Sequence, residues 1–206
     1  MSGQYYYHVN AKHPYSNHPL MQQGSIYSFT NDNFNPFFNY YEVISDPWAI
    51  SIPQLGKDSK ISGIDSLFLF QNLMGNLVDL PRKAFEIANH YRLLARELVL
   101  EKVRQEKFPS SPSRQNCIFL IESEKDIQRW KNQIGINGKQ YQVIKVRATG
   151  NIIRVDSNNL PKGNEPFSEW ESKAYKYWNC ELTDDPSIEV LLEGQVTVDE
   201  ILEMNM

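Results

Sequence analysis

Three strand-like runs lie far apart in this chain, and each sets a polar group among apolar neighbours. They are Tyr6-Tyr7-His8-Val9-Asn10, then Ser113-Arg114-Gln115-Asn116-Cys117-Ile118-Phe119-Leu120, then Ser187-Ile188-Glu189-Val190-Leu191. The β-branched and aromatic residues favour extended chain, so strand positions are spent on His8, on Ser113 or Arg114, and on Glu189. A carboxylate between Ile188 and Val190 is costly to bury without a partner or a ligand. The alternative is a half-exposed strand that turns Glu189 to water.

The order of elements predicts an α+β domain rather than a βαβ series. Strands are expected over 4–10 and 25–29, with an aromatic loop over 31–41 and a short buried helix over 65–77. The strongest periodicity runs from Pro81 to about Lys107, where proline suits a first turn and Pro109 ends the helix. Ala84, Ile87, Ala88, Tyr91, Ala95 and Leu98 recur at three- and four-residue steps and predict its inner face, with Arg92, Arg96 and Glu97 toward solvent. A strand over 116–122 precedes a helix over 125–132. Strands over 140–148 and 151–156 read as a hairpin around Thr149-Gly150-Asn151. An aromatic helix over 169–178 then leads to short strands over 188–192 and 195–198, divided by Gly194.

At 206 residues the chain suits one domain, 1–206, with a helical insert at about 62–108. A net charge of −4 argues against coating nucleic acid by bulk electrostatics. A basic face around Arg92, Arg96 and Arg104 is still able to guide a polyanion, and two solvated faces of opposite sign are the plainer reading. Cys117 and Cys180 are the only cysteines, with no CxxC or metal-type spacing, and they read as free thiols without a metal site. No apolar run is long enough to span a bilayer and no leader is evident, so a cytoplasmic location without membrane contact is expected.

A neutral imidazole at His8 is able to make one directed hydrogen bond to a ligand hydroxyl, although most strand histidines are structural. Ser113 and Arg114, following a proline at the mouth of a strand, suit an anion such as a pyrophosphate. Cys117 has no neighbouring histidine to activate it as a nucleophile. GxGxxG, GxxxxGK[ST], HExxH and GxSxG motifs are all absent.

Taken together, the three segments resemble the ADP-ribosyltransferase fold, which holds NAD in the cleft of a split β-sheet. Tyr7-His8-Val9-Asn10 is similar to that family's His-x-Thr strand with Asn10 in place of Thr, and 20–26 with Gly24 resembles the turn that follows. Phe119-Leu120-Ile121-Glu122-Ser123, with Ile127 and Trp130 beyond it, is similar to the family's Tyr-Leu-Thr-x-Ser strand and the helix after it. Ile188-Glu189-Val190-Leu191 resembles the late strand that carries the catalytic glutamate, with Glu193 as the substitute. The chain also resembles a bacterial family of unknown function through its Pro-Ser-Arg strand entry and its Tyr-Lys-Tyr-Trp helix.

The resemblance implies an NAD-dependent ADP-ribosyltransferase acting on a macromolecule, protein or nucleic acid, in a toxin or phage-defence setting. His8 would orient a ribose hydroxyl, Phe119 would stack on nicotinamide, and Glu189 would favour the charge that develops as the glycosidic bond breaks. Asn10, Ser113 and Arg114 would help hold the dinucleotide. Two rival readings remain: an NAD hydrolase or inactive nucleotide-binding fold-mate, and a non-enzymatic module that binds a partner through the aromatic loop from Phe34 to Tyr41.

Overall fold

The computed structural model describes residues 4–12, 20–30, 50–51, 60–61, 65, 80–136, 138–163 and 165–205. The chain forms two compact units, Met1–Asn39 with Val99–Met206, and Tyr40–Leu98. Helix and antiparallel sheet are both present, so the α+β expectation holds. No described helix is long and apolar enough to cross a membrane.

The first unit is organised by two long strands. In chain order the elements run β1 (Tyr5–Ala11), β2 (Ile26–Phe29), β3 (Ile50–Ser51), β4 (Lys60–Ile61), α1 (Leu80–Lys107), β5 (Ile118–Leu120), α2 (Ile127–Ile134), β6 (Tyr141–Asp156), α3 (Trp170–Trp178) and β7 (Ile188–Asn205). β6 and β7 pair antiparallel from Tyr141↔Asn205 to Asp156↔Ile188. β1 lies along β6 from Tyr141 to Arg147. β5 and β2 lie on the far edge of β7, opposite 190–192 and 194–197. One antiparallel bridge, with Tyr7 and Ile121 exchanging N–H···O bonds of 2.8 and 2.7 Å, then joins β1 to the end of β5 and closes a ring of strands.

The hairpin expected around Gly150 is corrected by this pairing. β6 passes through Gly150 without reversing, and β7 passes through Gly194 without ending, because the two glycines face each other across the ladder. Their backbones approach so closely that a Cβ on Gly150 would sit 2.4 Å from the Glu193 carbonyl oxygen, and one on Gly194 would sit 2.3 Å from that of Thr149. Both have positive φ, 144° and 154°. Residues that signal a turn to a local reading therefore mark a bend in a continuous ribbon.

The bent ribbon encloses one core and carries two others on its outer face. Tyr6, Ile118, Leu120, Ile144, Val146, Val190, Leu192, Val196 and Val198 fill the inside. They alternate along their strands with residues that point out. Outward, Val9, Ile121 and Val143 pack with Trp130 of α2. Val155 and Leu191 pack with Leu100 and Val103 of α1 and with Ala174, Tyr177 and Trp178 of α3. The Trp178 indole N–H donates to the Leu100 carbonyl at 2.8 Å, which fixes that ring inside the apolar cluster.

In the second unit β3 and β4 pair antiparallel, and α1 as far as Leu98 follows. The predicted inner face of α1 is corrected: Ala88 is exposed, and Tyr91 and Leu98 are 38% and 56% exposed, whereas His90 and Glu97 are buried beside Ile87. The buried stripe carries polar residues, so an apolar count finds the wrong phase. Glu97 is buried with its charge met by Arg96 at 2.6 Å. Of the expected helix over 65–77 only Asp65 is described, and the aromatic loop over 31–41 lies outside the described residues.

Gly150→Ala and Gly194→Ala are each expected to cost more than about 2 kcal/mol, since positive-φ strain adds to a backbone clash. Urea denaturation would show it as a lower midpoint. The control Gly24→Ala, whose Cβ would meet nothing within 4 Å, carries the strain without the clash and is expected to lose less.

Candidate functional site

Glu189 enters β7 two residues before Leu191 on the outer face, directly opposite Val155. At 3% exposure its carboxylate accepts from the Arg114 guanidinium at 2.6 Å and from the Tyr177 hydroxyl. Arg114 also donates to the Tyr177 oxygen and lies over the Phe119 ring, 4.9 Å from its centroid. Burial is the main reason that the Tyr177 hydroxyl is pushed well above its ordinary pKa, so it stays a donor. The opposing charges meet under α3, and each satisfies the other's buried valence.

His8 points the other way. Two residues from Tyr6 on the same strand face, it belongs to the inner side of the sheet. β1 and β5 share only the Tyr7–Ile121 bridge. One position further on, the imidazole replaces a ladder donor, with its Nδ1 2.8 Å from the Phe119 carbonyl oxygen. A carbonyl only accepts, so Nδ1 carries the proton. Burial lowers the His8 pKa to about 4, and the bond to Phe119 offsets only part of that. At neutral pH the ring is uncharged, and Nε2 is left as an acceptor without a protein partner among the described residues.

The other residues picked from the sequence are already engaged. Asn10 donates to Gln142 at 3.1 Å. The Ser113 hydroxyl donates to Glu101 at 3.0 Å and accepts from the Gln115 amide at 3.2 Å. Arg104 holds Glu101 at 2.7 Å and the Ser111 carbonyl at 3.0 Å, fixing the loop after α1. Arg92 bonds Asn89 and Arg96 bonds Glu97, so each cation of the supposed basic face has a protein partner. Cys117 is buried, Cys180 is exposed, and both are free thiols.

The structure thus brings His8, Arg114, Phe119 and Glu189 into one chain of contacts centred on Phe119, whose carbonyl binds His8 and whose ring lies under Arg114. It does not bring the imidazole and the carboxylate together, because they leave opposite faces of the sheet. Sequence reasoning missed three residues. Tyr177 completes the Glu189 cluster. Gln142, fully buried, bonds both the N–H and the carbonyl of Met21 and ties 20–25 to the sheet.

Asp156, also fully buried, accepts from the amides of Asn158 (3.0 Å), Thr183 (2.9 Å) and Ser187 (2.9 Å) and from the Thr183 hydroxyl (2.7 Å). It thereby closes the long connection that delivers Glu189. Burial alone would raise its pKa, but the hydroxyl and amide donors outweigh burial and hold the carboxyl below its ordinary value. An Asp at a strand end with Asn two residues on is the one local signal for it.

Arg114→Met is expected to cost about 3–5 kcal/mol by stranding the Glu189 charge, and adding Glu189→Leu to recover most of that. Denaturant midpoints of the two single variants and the double variant measure it. A second expectation concerns pH. An unfolded histidine takes a proton near 6.5, whereas His8 takes one only at about 4, so acidification across that window destabilises the fold. His8→Asn should flatten the loss of stability there. Asp156 acts at lower pH, with its contribution complete above the ordinary aspartate range and lost as pH falls through its depressed folded value, and Asp156→Asn should remove that acid limb.

No curated protein matches this chain. A family model described as "Protein of unknown function (DUF2441)" matches residues 6–204. That span takes in all but the first residue of β1, the Arg114–Glu189–Tyr177 cluster and all but the last residue of β7, and the chain belongs to this family of unknown function.

Proposed function

We propose that this protein binds NAD where β1 and β5 part and transfers its ADP-ribose to a macromolecular acceptor, protein or nucleic acid. The starting point is the similarity of the His8, Phe119 and Glu189 strands to those of the ADP-ribosyltransferase fold. The observation that carries the reading is the state of His8. The Phe119 carbonyl accepts from the Nδ1–H, so a neutral ring presents Nε2 to accept from a ribose hydroxyl. In the transfer the bond between nicotinamide and ribose breaks with its electron pair leaving on nicotinamide. The acceptor's nucleophile then bonds the ribose carbon and gives up its proton.

One observation favours a second reading, a fold-mate that binds the nucleotide without turning it over. Glu189, which would have to face the ribose, is enclosed by Arg114 and Tyr177 on the other side of the sheet. Calorimetric titration with NAD, together with an assay for released nicotinamide, separates the two. Transfer predicts binding that His8→Ala weakens at least about tenfold, or roughly 1.4 kcal/mol. It also predicts nicotinamide release that Glu189→Gln lowers while binding persists, and entry of labelled ADP-ribose into protein or nucleic acid of a cell extract. Binding without release selects the second reading, and absence of binding overturns both.

A further inference from the structure

A cleft of about 580 Å³ in the first unit is lined by Gln4, Tyr6, Ile152, Ile153, Arg154, Cys180 and Leu182. Ile152, Ile153 and Arg154 are consecutive in β6, and consecutive strand residues point to opposite faces. A cleft that touches all three runs along the edge of the strand. β1 covers this edge of β6 only as far as Arg147, and among the described residues no strand pairs with it from Ala148 to Asp156. The cleft therefore lies beside Gln4, just before β1, and follows backbone that has a sheet partner on one side only among the described residues.

Its side chains favour a neutral amide over an ion. Arg154 is held by Glu122 at 2.7 Å, and the two side chains are 51% and 33% exposed, so the local charge sums to zero. Tyr6 is buried to 3% exposure, yet its hydroxyl has no hydrogen-bond partner among the described residues and it lines the cleft as a spare donor. Leu182, 59% exposed, also lines the cleft and offers apolar cover to a side chain.

We propose that this cleft takes an extended peptide from a partner protein, which adds a strand to the free edge of β6. Its backbone would pair with that edge, one carbonyl would accept from Tyr6, and an apolar side chain would lie on Ile152 and Leu182. This is independent of any nucleotide chemistry at His8.

The test uses a library of random peptides displayed on phage, selected against the full chain. The best peptide is synthesised and titrated calorimetrically, and amide hydrogen exchange is compared with and without it. The expected result is slower exchange of amides within 148–156, and binding weakened at least about tenfold by Leu182→Glu and measurably by Tyr6→Phe, with unchanged thermal midpoints. Selected peptides that protect other amides, or failure to select any, would overturn the proposal. So would a concentration-dependent dimer that protects 148–156 without peptide, which would assign the edge to a second copy. Adenosine protecting those amides where no peptide does would overturn it as well, by assigning the cleft to a small neutral ligand.

Discussion

Where β6 passes β7 at Gly150 and Gly194, two backbones come close enough that neither residue has room for a Cβ. Everything else in the first unit is arranged around that approach. The β6–β7 ladder runs on through that point, shifting register only between Val143 and Ile144 and between Lys145 and Val146, and one arm of the ribbon carries β1 while the other carries β5. Closure of the ring by the bridge between Tyr7 and Ile121 joins β1 to the end of β5. It also converts an alternating pattern of valine, isoleucine and leucine into an enclosed core, each such side chain contributing on the order of 1.5–3 kcal/mol when buried.

The ring of strands has an inside and an outside, and its two most suggestive polar residues fall on different sides. His8 serves the inner side, at the point where two strands part and a backbone carbonyl needs a donor. Glu189 serves the outer side, where Arg114 and Tyr177 neutralise it beneath α3. Phe119 links them only through Arg114, since its carbonyl bonds His8 and its ring lies under the guanidinium that holds Glu189. A shared strand is thus a different thing from a shared cleft. The imidazole is held in one tautomer with an open acceptor, whereas the carboxylate already accepts from Arg114 and Tyr177 through one oxygen.

Much of the secondary structure was legible from local pattern: β1, β2, the long α1, α2, α3 and the mixed α+β class. The errors have a common physical origin. Gly150 and Gly194 each look like a strand break when the chain is read locally, and only their mutual approach shows that they bend a continuous ladder. On α1, His90 and Glu97 lie on the buried stripe. A burial pattern that includes a charged residue is invisible to hydrophobic periodicity, because it depends on Arg96 meeting the charge. Asp156 and Gln142 escape a local reading for a related reason, since their main partners, Thr183 and Ser187 for the first and Met21 for the second, lie far from them along the chain.

The sequence by itself determined that His8, Phe119 and Glu189 sit at strand positions where polar or aromatic choices demand a reason, whereas Arg114, expected in a strand as well, lies in the turn that leads into β5. Alternation and propensity are properties of neighbouring residues, so a linear reading reaches them. Only the tertiary structure decided which side of the sheet each residue faces, that Glu189 answers to Arg114 and Tyr177, and that His8 answers to a carbonyl. Facing and pairing are set by strand register and by the bend at two opposed glycines, and register is fixed by contacts between segments that the chain order keeps apart.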